Sequence, residues 1–356
     1  MAKLYLHAGG FKTGSTAIQE YLKANRAHLA ERGLLVPEAG ADNGGRHLPL
    51  VRALTQEEVS RKVAASPEAV AAELAAAPDR DAVISCEVLE NVLPATLPFF
   101  RSLGREVTVV LYVRNQPQRM NSAYAQEARM LRAEHGFLDS VMRTLMDSRL
   151  RHSSWLARAD LDPGEIMFRP YAGAIRSDVI GDFLATLGID RTGLPSTEAT
   201  RSNTALSAVG VAALRMLSRW AADRALTVKV PERNAIVELV EEADAALGLP
   251  PFQGFDPAAF DYVVRNYHGD NQWFAQQAWG RSWTEVFAAD LVPLDSPTEI
   301  DIDGERTPEL RQARDLFHTI RVKYMETARV ADEEPDELPD LGFLLERKID
   351  RGRAAD

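Results

Sequence analysis

The stretch that decides the fold is KLYLHAGGFKTGST, which occupies residues 3–16. Residues 3–7 are mostly apolar and predict a short buried strand. Residues 8–14 contain three glycines and predict a tight turn. A helix is predicted from Ser15, its N-cap, to about residue 30, and residues 34–36 begin a second strand. A strand, a loop, a helix and a strand in this order predict the opening of a parallel α/β sheet.

Three further segments have the character of strands, at residues 81–86, 106–113 and 165–171. Residues 106–113 give the strongest signal because they are almost continuously apolar, as in a central parallel strand. Helices are predicted at 205–225 and 232–247, and two prolines favour a break in a helix over 90–103. We therefore predict a three-layer α/β fold, a parallel sheet flanked by helices. Residues 1–225 would form the core and residues 226–356 a mainly helical extension.

Composition limits the classes of function. The chain has 356 residues and a formal net charge of -11, which disfavours nucleic acid as a partner. An anionic ligand would therefore need a locally basic pocket. Cys86 is the only cysteine, which excludes an internal disulfide framework and a cysteine-rich metal site. The start of the chain carries no signal-peptide pattern and no apolar run approaches the ~20 residues of a membrane span, so we expect a cytoplasmic protein.

The glycine-rich turn between the first strand and the first helix predicts an anion site, since backbone N–H groups and the helix N-terminus attract negative charge. Gly9 and Gly14 have the spacing of the nucleotide-triphosphate loop G-x-x-x-x-G-K-[ST]. However, Ser15 follows Gly14 where that loop has lysine, and Lys12 precedes Gly14 instead. Hydrolysis of ATP or GTP is therefore disfavoured.

The sequence of this turn resembles the 5′-phosphosulfate loop of sulfotransferases that use 3′-phosphoadenosine 5′-phosphosulfate (PAPS), in which the pattern is Lys-x-Gly-[ST]-[ST]. This resemblance implies a P-loop-like sulfotransferase fold and a PAPS donor that needs no metal. It also implies that Lys12 stabilises charge on the leaving phosphate. The residues implied to bind the 5′-phosphosulfate are Lys12, Thr13, Gly14, Ser15 and Thr16.

A second segment, RNQPQRMNSAY at residues 114–124, resembles the 3′-phosphate motif of the same superfamily. There a strand ends in arginine and a serine follows eight residues later, as Arg114 and Ser122 do here. The resemblance implies that both bind the 3′-phosphate, and Arg119, one helical turn before Ser122, would assist. A weaker match places Arg201 near the same phosphate, with a simple helix cap as an equally good interpretation. The resemblance covers about residues 3–225.

Transfer of a sulfonate requires a base that takes the proton of the acceptor. Glu87 follows the third predicted strand, where members of the superfamily tend to place this base. The carboxyl edge of a parallel sheet is also where ligands bind. His47, in the glycine-rich loop after the second strand, is the second candidate. The sequence does not decide between them.

The resemblance implies transfer of a sulfonate group from PAPS to a hydroxyl or an amine of a glycan, a lipid-linked sugar or a small molecule. The helical extension at 226–356 would contribute to the acceptor site. Two alternatives stay open, a P-loop kinase-like phosphotransferase and a non-catalytic nucleotide-binding protein. The identity of the acceptor and the oligomeric state also stay open.

Overall fold

A computed structural model of the chain describes residues 1–55, 66–158, 161–195, 205–292 and 297–328. Its centre is one five-stranded sheet in which all neighbouring strands run parallel. The strands are Lys3–Gly9 (β1), Leu34–Leu35 (β2), Asp81–Ser85 (β3), Glu106–Val113 (β4) and Ile166–Pro170 (β5). Their spatial order is β2-β3-β1-β4-β5. The predicted α/β class and parallel sheet are confirmed, and the loop after β1 lies at the middle of the carboxyl edge.

The helices before and within the sheet region are Ser15–Ala24 (α1), Arg26–Glu31 (α2), Leu48–Leu54 (α3), Pro67–Ala75 (α4), Leu89–Ser102 (α5), Gln116–Arg129 (α6), Phe137–Thr144 (α7), Ser153–Leu156 (α8), Gly173–Ser177 (α9) and Val179–Thr186 (α10). Those that follow are Ala208–Asp223 (α11), Val230–Leu247 (α12), Pro257–Trp279 (α13), Trp283–Val286 (α14) and Pro308–Ala328 (α15).

Two helix predictions differ from the structure. The first helix ends at Ala24, and a second helix begins after Asn25, whose side-chain amide donates to the carbonyl oxygen of Tyr21 at 3.0 Å. Residues 89–102 form one helix although Pro94 and Pro98 lie inside it. This helix buries Leu89, Leu93, Leu97 and Phe100 against the sheet, and that apolar packing outweighs the two lost backbone donors.

The sheet is covered on both faces because successive side chains of a strand point to opposite sides. On one face, α1 and α10 pack on Tyr5 of β1, Val83 of β3 and Val110 of β4. On the other face, α3, α4 and α5 pack on a second set of strand residues, which are Leu4, Leu6, Ala82, Ile84, Val107 and Val109. The molecule therefore has the three predicted layers.

The helices after β5 enlarge this fold on the side of α6. One apolar cluster joins α6 and α7 with α11, α12, α13 and α15. Leu217 of α11 and Ile236 of α12 are both fully buried in it. The described residues on the two sides of position 225 thus share a core. Within the described residues, no helix combines the length and the apolar character that crossing a membrane would require.

Candidate functional site

The loop that joins β1 to α1 is held in an unusual backbone conformation. Gly9, Gly10 and Gly14 all have positive φ angles, of 77°, 90° and 81°. At position 10 only glycine fits, because a Cβ atom there would overlap the carbonyl oxygen of Tyr112 in β4. The loop therefore lies directly against the end of β4.

Lys12 also has a positive φ, 66°, which is costly for a residue with a side chain. Its carbonyl oxygen accepts a hydrogen bond from Nη1 of Arg114 at 2.7 Å, and its Nζ donates to Oε1 of Gln126 at 3.1 Å. Burial, together with the nearby charges of Arg129 and Arg114, lowers the pKa of Lys12 to about 8. A partly desolvated ammonium among other cations is a strong attractor for an anion.

The N-terminus of α1 faces the same loop. Gly14 is the N-cap and offers no side chain to the first N–H groups of the helix, which have no partner within it. The hydroxyl of Ser15 is buried and has no hydrogen-bond partner. Thr16 is exposed, whereas the hydroxyl of Thr13 is buried and donates to the carbonyl oxygen of Gly10 at 2.5 Å. Thr13 thus stabilises the turn, and Ser15 and the helix N-terminus are available to a ligand.

One face of α6 lies along this loop. Asn115 caps the helix by accepting from the backbone N–H of Gln118 at 3.0 Å. The helix then presents polar side chains at intervals of three, four and three residues, the spacing of a single helical face. They are Arg119, Ser122, Gln126 and Arg129. Since Gln126 contacts Lys12, the partly buried Ser122 one turn earlier lies on the side that faces the loop.

Glu90 connects the loop to α6 from the opposite side. Its carboxylate accepts from the backbone N–H of Phe11 at 3.1 Å and from Nη2 of Arg119 at 3.1 Å. The side chain of Glu90 is only 4% exposed and that of Arg119 12%, so this is a largely desolvated ion pair. It fixes the distance between the loop and Arg119.

Arg114, at the end of β4, is enclosed by its neighbours. Its guanidinium lies over the ring of Tyr171, 5.6 Å from the ring centroid, and its Nε is buried without a hydrogen-bond partner. Burial lowers the pKa of Arg114, and the nearby cations Arg176 and Arg119 add to this effect. The predicted pair of Lys12 and Arg114 is therefore brought together, with Arg119 beside it.

Glu87 lies on the β3 side of the loop. A Cβ atom built on Gly9 would be 2.9 Å from Cβ of Glu87 and 3.1 Å from Oγ of Ser15, so these two residues flank the same point. The partly buried carboxylate accepts from Nε2 of Gln19 at 2.9 Å. A carboxylate thus lies next to the anion-attracting loop, where it can take a proton from a bound molecule.

His47 is in a different environment. It is fully buried, its Nδ1 accepts from the backbone N–H of Ser85 at 3.1 Å, and its Nε2 is 3.2 Å from the carbonyl oxygen of Pro37. Burial lowers the pKa of His47 to about 4. Both ring nitrogens of His47 are thus engaged by backbone groups, and His47 supports the loop after β2. Glu87, the other candidate base, is only partly buried.

The site also contains side chains that were not predicted from the sequence: Gln19, Glu90, Gln126, Arg129 and Tyr171. The regular polar spacing along α6 could have indicated Gln126 and Arg129, because it continues from Arg119 and Ser122. Gln19 had no such signal, since a buried glutamine in an apolar helix gives no pattern of its own.

The predicted residue Arg201 lies outside the described residues. Within the described ranges, no cluster of three or more histidine, cysteine, aspartate or glutamate side chains could hold a metal ion. The described site combines cations and the N-terminus of α1 with the carboxylates of Glu87 and Glu90, so it can bind a phosphate-like anion and accept a proton beside it. Comparisons of the chain with protein-family models, with curated proteins and with solved structures found no match.

Proposed function

We propose that this protein is a sulfotransferase that moves a sulfonate group from PAPS to a hydroxyl or an amine of an acceptor. One observation carries the proposal: Lys12 and Arg114, from two separate motifs, meet at the middle of the carboxyl edge, with Arg114 bonded to the backbone of Lys12 at 2.7 Å. This local concentration of positive charge stands in a chain of net charge -11. Such a concentration is expected where a multiply charged anion binds.

The site suits a donor with two separate phosphates. The loop, the N-terminus of α1 and Lys12 would hold the 5′-phosphosulfate. Arg114, Ser122 and Arg119 would hold the 3′-phosphate from the α6 side. Two buried polar atoms without partners, Oγ of Ser15 and Nε of Arg114, support this assignment because each would gain a hydrogen bond from such a ligand.

The proposed reaction is a single displacement at sulfur in which two side chains take part. The acceptor atom attacks sulfur while the bond from sulfur to the bridging oxygen breaks, and the electron pair leaves with the nucleotide phosphate. Lys12 would stabilise the charge that develops on that phosphate, and Glu87 would take the proton of the acceptor. The acceptor would be a glycan, a lipid-linked sugar or a small molecule, and the helices after β5 would contribute to its binding.

The first experiment is calorimetric titration with 3′-phosphoadenosine 5′-phosphate (PAP), the desulfonated product, in buffer with EDTA. We expect micromolar binding that weakens about 10- to 100-fold in Lys12→Ala and in Arg114→Ala, since each removes hydrogen bonds to a charged group. Lys23→Ala is the matched control, because Lys23 of α1 is exposed and donates to the carbonyl oxygen of Asn43, away from the loop.

Other outcomes separate the alternatives. Binding of ATP with magnesium in the absence of PAP binding would favour the kinase-like phosphotransferase. Binding of PAP without transfer of ³⁵S from labelled PAPS would favour a non-catalytic nucleotide-binding protein. For an enzyme, Glu87→Gln should retain PAP binding and lose transfer.

A further inference from the structure

Gln19 lies beside Glu87, and only one of the two polar groups of its side-chain amide has a hydrogen-bond partner. The residue is 1% exposed, in the second turn of α1, four positions after Ser15. Its Nε2 donates to Oε2 of Glu87 at 2.9 Å. The orientation of the amide follows from chemistry, because an ionised carboxylate only accepts and must face the NH₂ group.

The other half of the amide has no partner. Oε1 of Gln19 is buried and accepts no hydrogen bond, and the neighbouring Oγ of Ser15 is also buried and unpaired. Ser15 and Gln19 lie one helical turn apart on α1, and Oγ of Ser15 lies beside the same point of Gly9 as Cβ of Glu87. Buried carbonyl oxygens are rarely left without a donor, so a bound molecule that supplies one would remove an unfavourable desolvation.

Oε1 of Gln19 belongs to the same amide that donates to Glu87, so it is a second hydrogen-bond acceptor close to the carboxylate. In the proposed reaction that carboxylate takes the proton of the attacking group. We infer that the acceptor is a primary amine and that Gln19 is a residue that binds it. This inference rests on the proposed function.

A count of hydrogens separates the two acceptor classes. A neutral primary amine has two N–H bonds and one lone pair. One N–H can point at Glu87, the second at Oε1 of Gln19, and the lone pair at sulfur. A hydroxyl has one hydrogen, so once that hydrogen points at Glu87, Oε1 of Gln19 would face an oxygen lone pair. A site with a buried polar group discriminates strongly against the analogue that leaves the group unpaired.

The step balances without a further reactant. The N–S bond forms as the bond between sulfur and the bridging oxygen breaks, and PAP leaves with the electron pair of that bond. One proton passes from nitrogen to Glu87. The second N–H stays on the product, a sulfamate, and keeps its hydrogen bond to Gln19.

The test uses labelled PAPS and matched pairs of acceptors that differ in one group: 4-methoxyaniline with 4-methoxyphenol, and glucosamine with glucose. We expect ³⁵S transfer to the amine of a pair to exceed transfer to the alcohol at least tenfold. Gln19→Met, of nearly equal volume, should reduce that ratio at least tenfold, mainly by raising KM for the amine. Gln19→Leu serves as a second variant if Gln19→Met does not fold, and Glu20→Gln, the next residue of the same helix, is the control.

PAP titration of each variant precedes the assay. If the unaltered protein does not bind PAP, the proposed function falls and this inference with it. If it binds PAP and transfers sulfonate preferentially to the alcohols, the inference alone is overturned. Binding of PAP with transfer to none of the four compounds counts against both the proposed function and the inference. A ratio that is unchanged in both Gln19 variants overturns the role of Gln19.

Discussion

Lys12 has two energetically unfavourable features at once. Its backbone is in the left-handed region and its ammonium is partly desolvated beside two arginines. Either feature could be removed by substitution, the first by glycine and the second by a neutral side chain. Strain of this kind concentrates at functional sites, where the surrounding structure holds it in place. Both features therefore lead to measurable predictions.

The affinity for PAP should decrease in alkaline solution. With a pKa of about 8 in the free protein, Lys12 is charged below pH 8 and neutral above it. A bound anion favours the charged form, so binding takes up a proton near pH 8 and weakens about tenfold between pH 8 and pH 9.5. Calorimetry in two buffers of different ionisation enthalpy measures both effects. Lys12→Arg should remove this dependence because a guanidinium does not lose its proton, and a flat profile for the unaltered protein would contradict the prediction.

The strain at position 12 should appear in the free energy of unfolding. Lys12→Gly and Lys12→Ala both remove the ammonium, but glycine adopts a positive φ without a steric cost. We expect Lys12→Gly to be more stable than Lys12→Ala by about 1 kcal/mol in urea titrations. At Lys23, inside α1, the order should reverse by a similar amount because alanine favours the helix. The same order at both positions would show that residue 12 is not strained.

Among the secondary-structure elements, α6 does most to organise the site. Its N-terminus follows Arg114, and its polar face lies along the loop. Its apolar face carries Met120 and Tyr124 into the core shared with α11, α12, α13 and α15. The ion pair between Arg119 and Glu90 couples this helix to α5 and to the backbone of Phe11. The position of the loop thus depends on three elements at once.

Removing the charge of one partner of that ion pair should destabilise the folded protein. Glu90→Gln keeps an acceptor for the N–H of Phe11 but leaves the buried guanidinium of Arg119 without its counter-charge. We expect a loss of about 3 kcal/mol in the free energy of unfolding. The double variant Glu90→Gln with Arg119→Met should recover a large part of this loss, as a double-mutant cycle in urea would show. If the two single losses simply add, the residues are not coupled.

The sequence was informative for elements with a simple pattern. Residues 106–113 were predicted as a central strand and form β4, which pairs with β1 and β5. The prediction was possible because a continuous apolar run is typical of a parallel strand that is buried on both faces. The continuity of α5 was not predicted, since the burial of its apolar face depends on partners distant in the chain. Lys12 and Arg114 could be identified because each belongs to a local sequence motif. The pairing of Gln19 with Glu87 could not be predicted, because it depends on contacts between residues distant in the chain.

For the whole molecule, the buried histidines form a common feature. His7, His47 and His152 are all at most 3% exposed, and burial lowers their pKa values to about 3, 4 and 3. Each is neutral in the folded protein, whereas in the unfolded chain each would take up a proton near pH 6.5. The unfolded state therefore binds more protons below that pH.

For this reason the free energy of unfolding should already decrease in mildly acidic solution. A depressed folded-state pKa contributes stability that is fully present above pH 6.5 and is lost as the pH falls toward 4. The loss should be about 2 kcal/mol per histidine by pH 5. Urea titrations from pH 7.5 to pH 5 measure the slope. His47→Gln should reduce it, and His28→Gln, at an exposed position, is the control. A free energy of unfolding that is constant over this range would contradict the prediction.

The absence of room for a Cβ atom at Gly10, beside the carbonyl oxygen of Tyr112, has a consequence for protein engineering. A library that randomises the whole loop would lose most of its members to misfolding at this one position. Variation confined to Phe11, Ser15 and Thr16 would leave the contact between the loop and β4 intact. Such a library could change which anion the protein accepts while every member keeps the same backbone.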